Sequence, residues 1–340
     1  MLQSYISAID YYLPEKVLDN ESLSRMFPEW TAQQIEQKTG IRSRHIADEK
    51  ETSADMAVKA AEKLFGKGKA SPAEIDFILL CTQSPDYFLP TSACIIQHRL
   101  GVPREAGALD FNLGCSGFVY GLSLAKGLVE SGAARCILLL TSETYSKFLD
   151  PRDKGGRSLF GDGAAATIIR GRDEVDSSLS WIGPFVFGTD GSGANALIVE
   201  EGGMRRRSSP EQSLADVTRK GRYLQMEGPE IFSFTLKVVP AMLDALLRKS
   251  NMNRDAVDLF IFHQANRYML EALRKQVGIA QEKFVFDLED KGNTVSSTIP
   301  IAVADAYAAG RFAPRQKLVL MGFGVGLSWA AVSVAVPGGI

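Results

Sequence analysis

The chain predicts an α/β protein made of two similar halves, and three observations lead there. Continuous apolar runs of strand length, such as Ile75-Asp-Phe-Ile-Leu-Leu-Cys81 and Cys136-Ile-Leu-Leu-Leu-Thr141, have the pattern of strands buried on both faces of a parallel sheet. Segments with helical periodicity alternate with these runs. The second half also repeats the first. Glu74-Ile-Asp-Phe-Ile-Leu-Leu-Cys81-Thr-Gln is similar to Ala256-Val-Asp-Leu-Phe-Ile-Phe-His263-Gln. Gly114-Cys115-Ser, a helix, Gly132 and the Cys136 strand are matched by Gly292-Asn293-Thr, a helix, Gly310 and Lys317-Leu-Val-Leu-Met321. Equivalents lie about 180 residues apart, the scale of one domain. Chance similarity of apolar strands is the competing explanation, but a constant offset over strand, turn and helix favours duplication. The expected halves are residues 1–175 and 176–340.

Taken in order, residues 2 to 13 form a first strand. Asn20 is expected to cap a short helix, and Thr31 begins another that ends at Lys38-Thr39-Gly40. Ile41 to Ile46 is extended. Thr52 to Phe65 is an amphipathic helix with Met56, Ala57, Ala60, Ala61 and Leu64 on one face. Pro90 to Leu100 is a helix with proline in its first turn. Ala108 to Phe111 is a strand, Asn112-Leu113-Gly114 a turn, and a helix runs from about Ser116 to Glu130, stopping at Gly132. That helix is apolar on most sides and belongs inside the protein. Ser158-Leu-Phe-Gly-Asp-Gly to Ile169 is a glycine turn feeding a strand. In the second half, Pro300 and Gly310 frame the helix that follows Asn293.

With 340 residues and 45% hydrophobic content the chain has ample material for a large core. A formal charge of −2 gives no global case for nucleic acid or a membrane surface. The four cysteines, Cys81, Cys94, Cys115 and Cys136, show no C-x-x-C spacing, which argues against zinc and disulfide scaffolds and for a reducing compartment. The N-terminus lacks a signal-peptide pattern, and the apolar runs are too short to span a bilayer. The expectation is a soluble cytoplasmic protein. No metal motif and no nucleotide-phosphate glycine fingerprint is present, so no cofactor is implied. Residues 190 to 225 are polar, glycine-rich and basic, with Arg205-Arg206-Arg207 and Arg219-Lys220-Gly-Arg222. A solvated loop is the favoured reading, and a docking surface for an acidic or phosphate-bearing partner the other.

Cys115 falls where a strand hands over to a helix. Free N–H groups and the helix dipole there favour an anion, so its thiol is expected to ionise more easily than a free cysteine. The plainer alternative is a small buried core residue. His263 ends a buried strand and Asn293 stands at a helix entry; singly, either is commonly structural. Together with a cysteine on the equivalent elbow of the other half, they suggest one centre.

Four motifs then carry a resemblance: Cys115 in Gly-Cys-Ser-Gly, His263 in His-Gln-Ala-Asn, Asn293 in Gly-Asn-Thr-Val-Ser-Ser-Thr-Ile-Pro, and the closing Gly322-Phe-Gly-Val-Gly-Leu-Ser-Trp329. The chain resembles the β-ketoacyl-acyl-carrier-protein synthase III family of the thiolase-like fold over nearly its whole length. The resemblance implies a duplicated, five-layered α-β-α-β-α fold and a homodimer. It implies that Cys115 takes an acyl group from a thioester, and that a malonyl thioester then loses carbon dioxide and attacks the acyl-cysteine. A neutral His263, donating through Nε2, and the Asn293 amide would stabilise the charge built by decarboxylation. The backbone N–H groups of Cys115 and Val325 would form the oxyanion hole for acyl transfer. The partners implied are an acyl-coenzyme A or acyl-carrier-protein donor and malonyl-acyl-carrier-protein.

The resemblance also puts Gln34, Lys38, Leu89, Lys154, Gly228, Asn266 and Phe323 at the substrate, with departures. Gln34 replaces a tryptophan that clamps adenine, Trp30 lying one helical turn early, and Lys38 and Lys154 replace arginines; lysine does not stack as guanidinium does. Pro229 replaces the asparagine after Gly228. Leu89 replaces a phenylalanine that limits the primer pocket, which suits a longer or branched primer unless its neighbours repack. A carrier-bound donor and a specialised lipid or polyketide product become plausible. Arg267, Arg274 and Lys275 are candidates for carrier docking. The alternatives are acyl transfer to oxygen or nitrogen without decarboxylation, and a catalytically silent partner subunit.

Overall fold

A computed structural model describes residues 2–173, 181–207 and 220–335. The division expected at 175/176, and Arg219, lie outside the described residues. The first part of the chain runs β1 (Gln3–Tyr12), β2 (Val17–Asp19), α1 (Asn20–Met26), α2 (Ala32–Thr39), β3 (Ser43–His45), α3 (Ser53–Gly66), β4 (Phe77–Cys81), α4 (Ser92–Leu100), β5 (Gly107–Phe111), α5 (Gly117–Glu130), β6 (Cys136–Glu143), α6 (Lys154–Leu159) and β7 (Gly163–Arg172). The second runs β8 (Ile182–Thr189), β9 (Leu197–Ile198), β10 (Gln225–Met226), α7 (Gly228–Lys249), β11 (Leu259–Phe262), α8 (Arg267–Gln276), α9 (Thr298–Ala308), β12 (Lys317–Gly324) and β13 (Ser328–Ala335).

Two sheets carry the fold, in the orders β1-β7-β6-β4-β5 and β11-β12-β13-β8. In each, a parallel pair (β4 with β6, β11 with β12) is followed by two antiparallel strands. The counterpart of β5 shrinks to a parallel bridge between Phe260 and Phe284. Strand alternation sorts side chains into layers. On β6, Ile137 and Leu139 face one core while Leu138 and Leu140 face another. On β12, Leu318 and Leu320 share the first of these cores, and Val319 and Met321 face a third. The shared core holds α5 and α9, through Phe118, Leu122, Ala302 and Val303. Helices α3 and α4 cover the outer face of the first sheet, and α7 and α8 that of the second. The result is the five-layered α-β-α-β-α stack, with both faces of each sheet covered.

The local chemistry corrects two details. Asp19, not Asn20, caps α1, its carboxylate accepting the Ser22 N–H at 2.7 Å. The Asn20 amide instead donates to Ile41 O at 2.7 Å and accepts from Arg44 at 2.9 Å. Arg44 is fully buried, and its guanidinium also donates to the carbonyls of Leu18 (3.0 Å) and Ser158 (2.8 Å), tying the antiparallel β2–β3 pair to α6. Burial pushes this guanidinium down to about 10. Pro90 lies before α4 rather than inside it; Thr91 is the N-cap, and the Asp110 carboxylate accepts the Ser92 and Ala93 N–H groups at 2.7 Å each. Thr31 does begin α2, through a capping box with Gln34. Among the described residues no helix is long and apolar enough to cross a membrane.

Candidate active site

Cys115 sits between β5 and α5, two residues before the first residue of the helix, and is 6% exposed. Its packing explains the glycines around it. A Cβ on Gly117 would lie 2.2 Å from Cys81 Sγ, and a Cβ on Gly324 would lie 2.8 Å from Cys115 Sγ. The end of β12 is thereby pressed against the sulfur. The N–H groups of Val325 and of Cys115 itself hydrogen-bond the thiol and hold its pKa down, but burial outweighs them and, with the Glu143 carboxylate adding to it, pushes the thiol up to about 12. The expectation of an easily ionised thiol is therefore corrected: the dipole and the N–H groups are present, and desolvation is larger. Alkylation of Cys115 by iodoacetamide, followed by mass spectrometry, should accelerate about tenfold per pH unit from about pH 6 to about pH 9, because the thiolate fraction keeps rising below the pKa. A plateau below about pH 8 would contradict this.

His263 follows β11 and is buried, its N–H donating to Met321 O at 2.8 Å. Its ring meets Phe323 edge-on, with centroids 6.0 Å apart, and its Nδ1 lies 2.7 Å from Thr298 Oγ1. Burial pushes the imidazole down to about 3, the Val295 carbonyl working the other way. The ring is neutral at neutral pH. Asn293 is held by its own backbone, N–H to Leu159 O at 2.8 Å and C=O from Gly161 N–H at 3.0 Å. Its Oδ1 accepts the Val295 N–H at 2.9 Å, which fixes the amide orientation and leaves Nδ2 as the donor end.

Val295 joins these groups. It packs in one cluster with Cys115, Tyr145, Leu149 and Phe160. Its N–H holds Asn293, and its carbonyl oxygen lies 3.0 Å from the hydroxyl oxygen of Thr298, the residue that contacts His263. It does this at φ 54°, a conformation that β-branched residues rarely adopt and that structures retain chiefly at functional sites. Glu143, the last residue of β6, is also fully buried. Its carboxylate accepts the Gln83 N–H (3.0 Å) and the hydroxyls of Ser84 (3.2 Å) and Ser296 (2.8 Å), tying the first half to the Asn293 loop. Burial pushes it up to about 8. Neither residue was singled out from sequence; the signal for Glu143 is an acidic residue closing an otherwise apolar strand, and Val295 has none beyond its place in the motif.

A cavity of about 910 Å³ reaches Val325 and Tyr145, both neighbours of Cys115, and its lining also includes Gln83, Leu89, Asn112 and Phe148. Leu89 is 81% exposed at its mouth. The other expected substrate residues are engaged differently. Gln34 Oε1 accepts the Thr31 N–H at 2.9 Å as part of the α2 cap. Lys38 and Lys154 both stand over the Trp30 ring, their Nζ atoms 4.6 and 4.9 Å from its centroid. Gly228 opens α7, and Asn266 caps α8 by accepting the Met269 N–H at 2.8 Å. Phe323 is buried against His263 and Phe262 rather than lining the cavity. The docking candidates stand in different surroundings. Arg267 is paired with Glu289 and lies 5.0 Å from the Phe286 ring centroid, and Arg274 is paired with Glu271 at 2.8 Å and with Ile279 O at 2.9 Å. Lys275 is exposed. In the basic segment, Arg206 pairs with Glu200 at 2.9 Å and Glu201 at 3.4 Å.

Two sheets of one topology, back to back on α5 and α9, with a cysteine on one elbow and an asparagine on the other, define a thiolase-like protein. Residues 109–191 match the family model for 3-oxoacyl-[acyl-carrier-protein] synthase III, and residues 247–336 match the model for its C-terminal part. A β-ketoacyl-[acyl-carrier-protein] synthase III of Caldanaerobacter subterraneus is 36% identical over 323 residues, 94% of each chain. A crystal structure of a 3-oxoacyl-(acyl-carrier-protein) synthase III is 52% identical with a TM-score of 0.94, covering 98% of this chain and 99% of that one. The corresponding enzyme of Pseudomonas aeruginosa is 30% identical with a TM-score of 0.86, over 99% of both chains. The chain belongs to the β-ketoacyl-acyl-carrier-protein synthase III family.

Proposed function

We propose that this protein is an acyltransferase that joins an acyl primer to a malonyl unit with loss of carbon dioxide, in fatty-acid or related lipid or polyketide synthesis. The observation that supports the reading is Val295, which packs in one cluster with Cys115 while its N–H contacts Asn293 and its carbonyl lies against Thr298, the neighbour of the His263 ring. Cys115 Sγ attacks the thioester of an acyl-coenzyme A or acyl-carrier-protein donor. The tetrahedral oxyanion lies under the N–H groups of Cys115 and Val325, and the thiol proton leaves on the departing sulfur. Malonyl-acyl-carrier-protein then loses carbon dioxide, and its thioester oxygen, now negative, is held by Asn293 Nδ2 and His263 Nε2. The carbanion attacks the acyl-cysteine, and Cys115 leaves as a thiolate that takes up a proton. A neutral histidine suits this role, since it donates without titrating near neutral pH.

The working form is a homodimer in the cytoplasm. The edge strand β5 and the exposed Tyr87, Phe88 and Leu89 at the cavity mouth support pairing with a second copy. The cation-covered Trp30 supports a carrier-bound donor over one clamped by its adenine. The test is intact-protein mass spectrometry with acyl-coenzyme A and acyl-carrier-protein donors of graded length, with peptide mapping of the adduct. A mass gain mapped to Cys115, discharged by malonyl-acyl-carrier-protein with release of carbon dioxide, is expected. An adduct that leaves without carbon dioxide would refute the decarboxylating reading.

A further inference from the structure

We infer that the hydroxyl of Thr298 sets the tautomer of His263: it donates to Nδ1 and so keeps the single ring proton on Nε2, the nitrogen to which the proposed function gives the donor role. The inference rests on the function proposed above and extends it to a positioning residue. Thr298 Oγ1 has two neighbours, Nδ1 of His263 at 2.7 Å and Val295 O at 3.0 Å, and it has one proton to give. Two arrangements satisfy these contacts. In one, the hydroxyl donates to Nδ1 and Nε2 carries the ring proton. In the other, the hydroxyl turns to Val295 O, Nδ1–H donates to Oγ1, and Nε2 is an acceptor unable to stabilise a negative oxygen.

Two features favour the first, and burial of the pair preserves it. The contact to Nδ1 is the shorter. The Val295 carbonyl already accepts the backbone N–H of Thr298, so it does not depend on the hydroxyl. Both side chains are buried, Thr298 at 3% and His263 at 2% exposure, which shields the pair from exchange with bulk water. Thr298 is also the first residue of α9, so the helix that fills the layer between the sheets fixes where the hydroxyl stands. The imidazole orientation is thus set by a side chain that touches no substrate, as the outer partners of functional histidines commonly do.

The test uses the full-length chain labelled with ¹⁵N-histidine. The protein has three histidines, so the resonances of His263 are identified by their loss in His263→Ala. Long-range ¹H–¹⁵N spectra of the unsubstituted protein should show the Nε2–H tautomer. Thr298→Val, which keeps the shape and removes the hydroxyl, should shift the ring toward Nδ1–H. It should also slow carbon dioxide release from malonyl-acyl-carrier-protein by about 10–10², while acylation of Cys115 changes by less than about threefold. Thr298→Ser should recover decarboxylation to within about threefold. An Nδ1–H tautomer in the unsubstituted protein, an unchanged decarboxylation rate in Thr298→Val, or an equal loss of acylation and decarboxylation would each overturn the inference. His263→Ala separates the two levels. If it decarboxylates at the original rate, the proposed role of His263 fails; if it collapses while Thr298→Val does not, only the role of Thr298 fails.

Discussion

Asn293→Ala is expected to slow carbon–carbon bond formation by about 10²–10³ while acyl-Cys115 accumulates, because the loss of one preorganised donor to a developing oxyanion has that size. The structure supplies a control for the obvious objection. Asn293 Oδ1 accepts the Val295 N–H at 2.9 Å, so alanine removes a loop contact as well as a donor. Asn293→Asp keeps an acceptor for Val295 and removes only Nδ2, placing a negative group where a negative oxygen must form. If donation is what matters, Asn293→Asp falls at least as far as Asn293→Ala. If loop geometry is what matters, Asn293→Asp recovers much of the rate. The measurement is single-turnover: acyl-enzyme formation by mass spectrometry, then condensation and carbon dioxide release on addition of malonyl-acyl-carrier-protein. Retention of the original condensation rate in either variant would remove Asn293 from the mechanism.

The placement of Cys115, His263 and Asn293 was legible in the sequence because each stands where a backbone pattern changes, while the roles proposed for them came from the resemblance of their motifs. Cys115 and Asn293 occupy equivalent elbows, and His263 ends an apolar strand; those patterns are local and survive without knowledge of contacts. Quantities set by the surroundings were not legible. The thiol of Cys115 was expected to ionise readily from its place near a helix start, but the same packing that aligns the Val325 N–H also removes water, and desolvation prevails. Glu143 and Val295 act through partners more than a hundred residues away in one case and through an unusual φ in the other. The 22-residue helix α7 had no counterpart among the expected elements. Its Phe, Thr and Val residues and the internal Pro240 argue against a helix locally. Burial of Val239, Met242, Leu243 and Leu246 on the second sheet holds it in place. The local roles of the substrate residues carried over from the resemblance were not legible either: Gln34 and Asn266 take part in helix caps.

Gly324→Ala is expected to abolish most acyl transfer, lowering the single-turnover rate of Cys115 acylation by about 10² or more. A Cβ at this position would lie 2.8 Å from Cys115 Sγ and 3.0 Å from Cys115 Cβ, closer than unbonded atoms sit, so one wall must give. Neither gives easily. Cys115 is fixed between β5 and α5, and Gly322, on the same strand as Gly324, lies so near the Cys115–Ser116 backbone that its own missing Cβ would sit 2.5 Å from Cys115 O. If β12 retreats, the Val325 N–H moves away from the thioester oxygen it would stabilise; if the sulfur turns, the line of attack is lost. Either displacement of about 1 Å is enough for a loss of this size. The fold should survive, because the clash is with one side chain and α5 and α9 still fill the shared core. Thermal unfolding of the variant checks that point, and acylation followed by mass spectrometry checks the prediction. A folded Gly324→Ala protein that acylates at the original rate would show that the end of β12 and the sulfur are not held in the contact seen here.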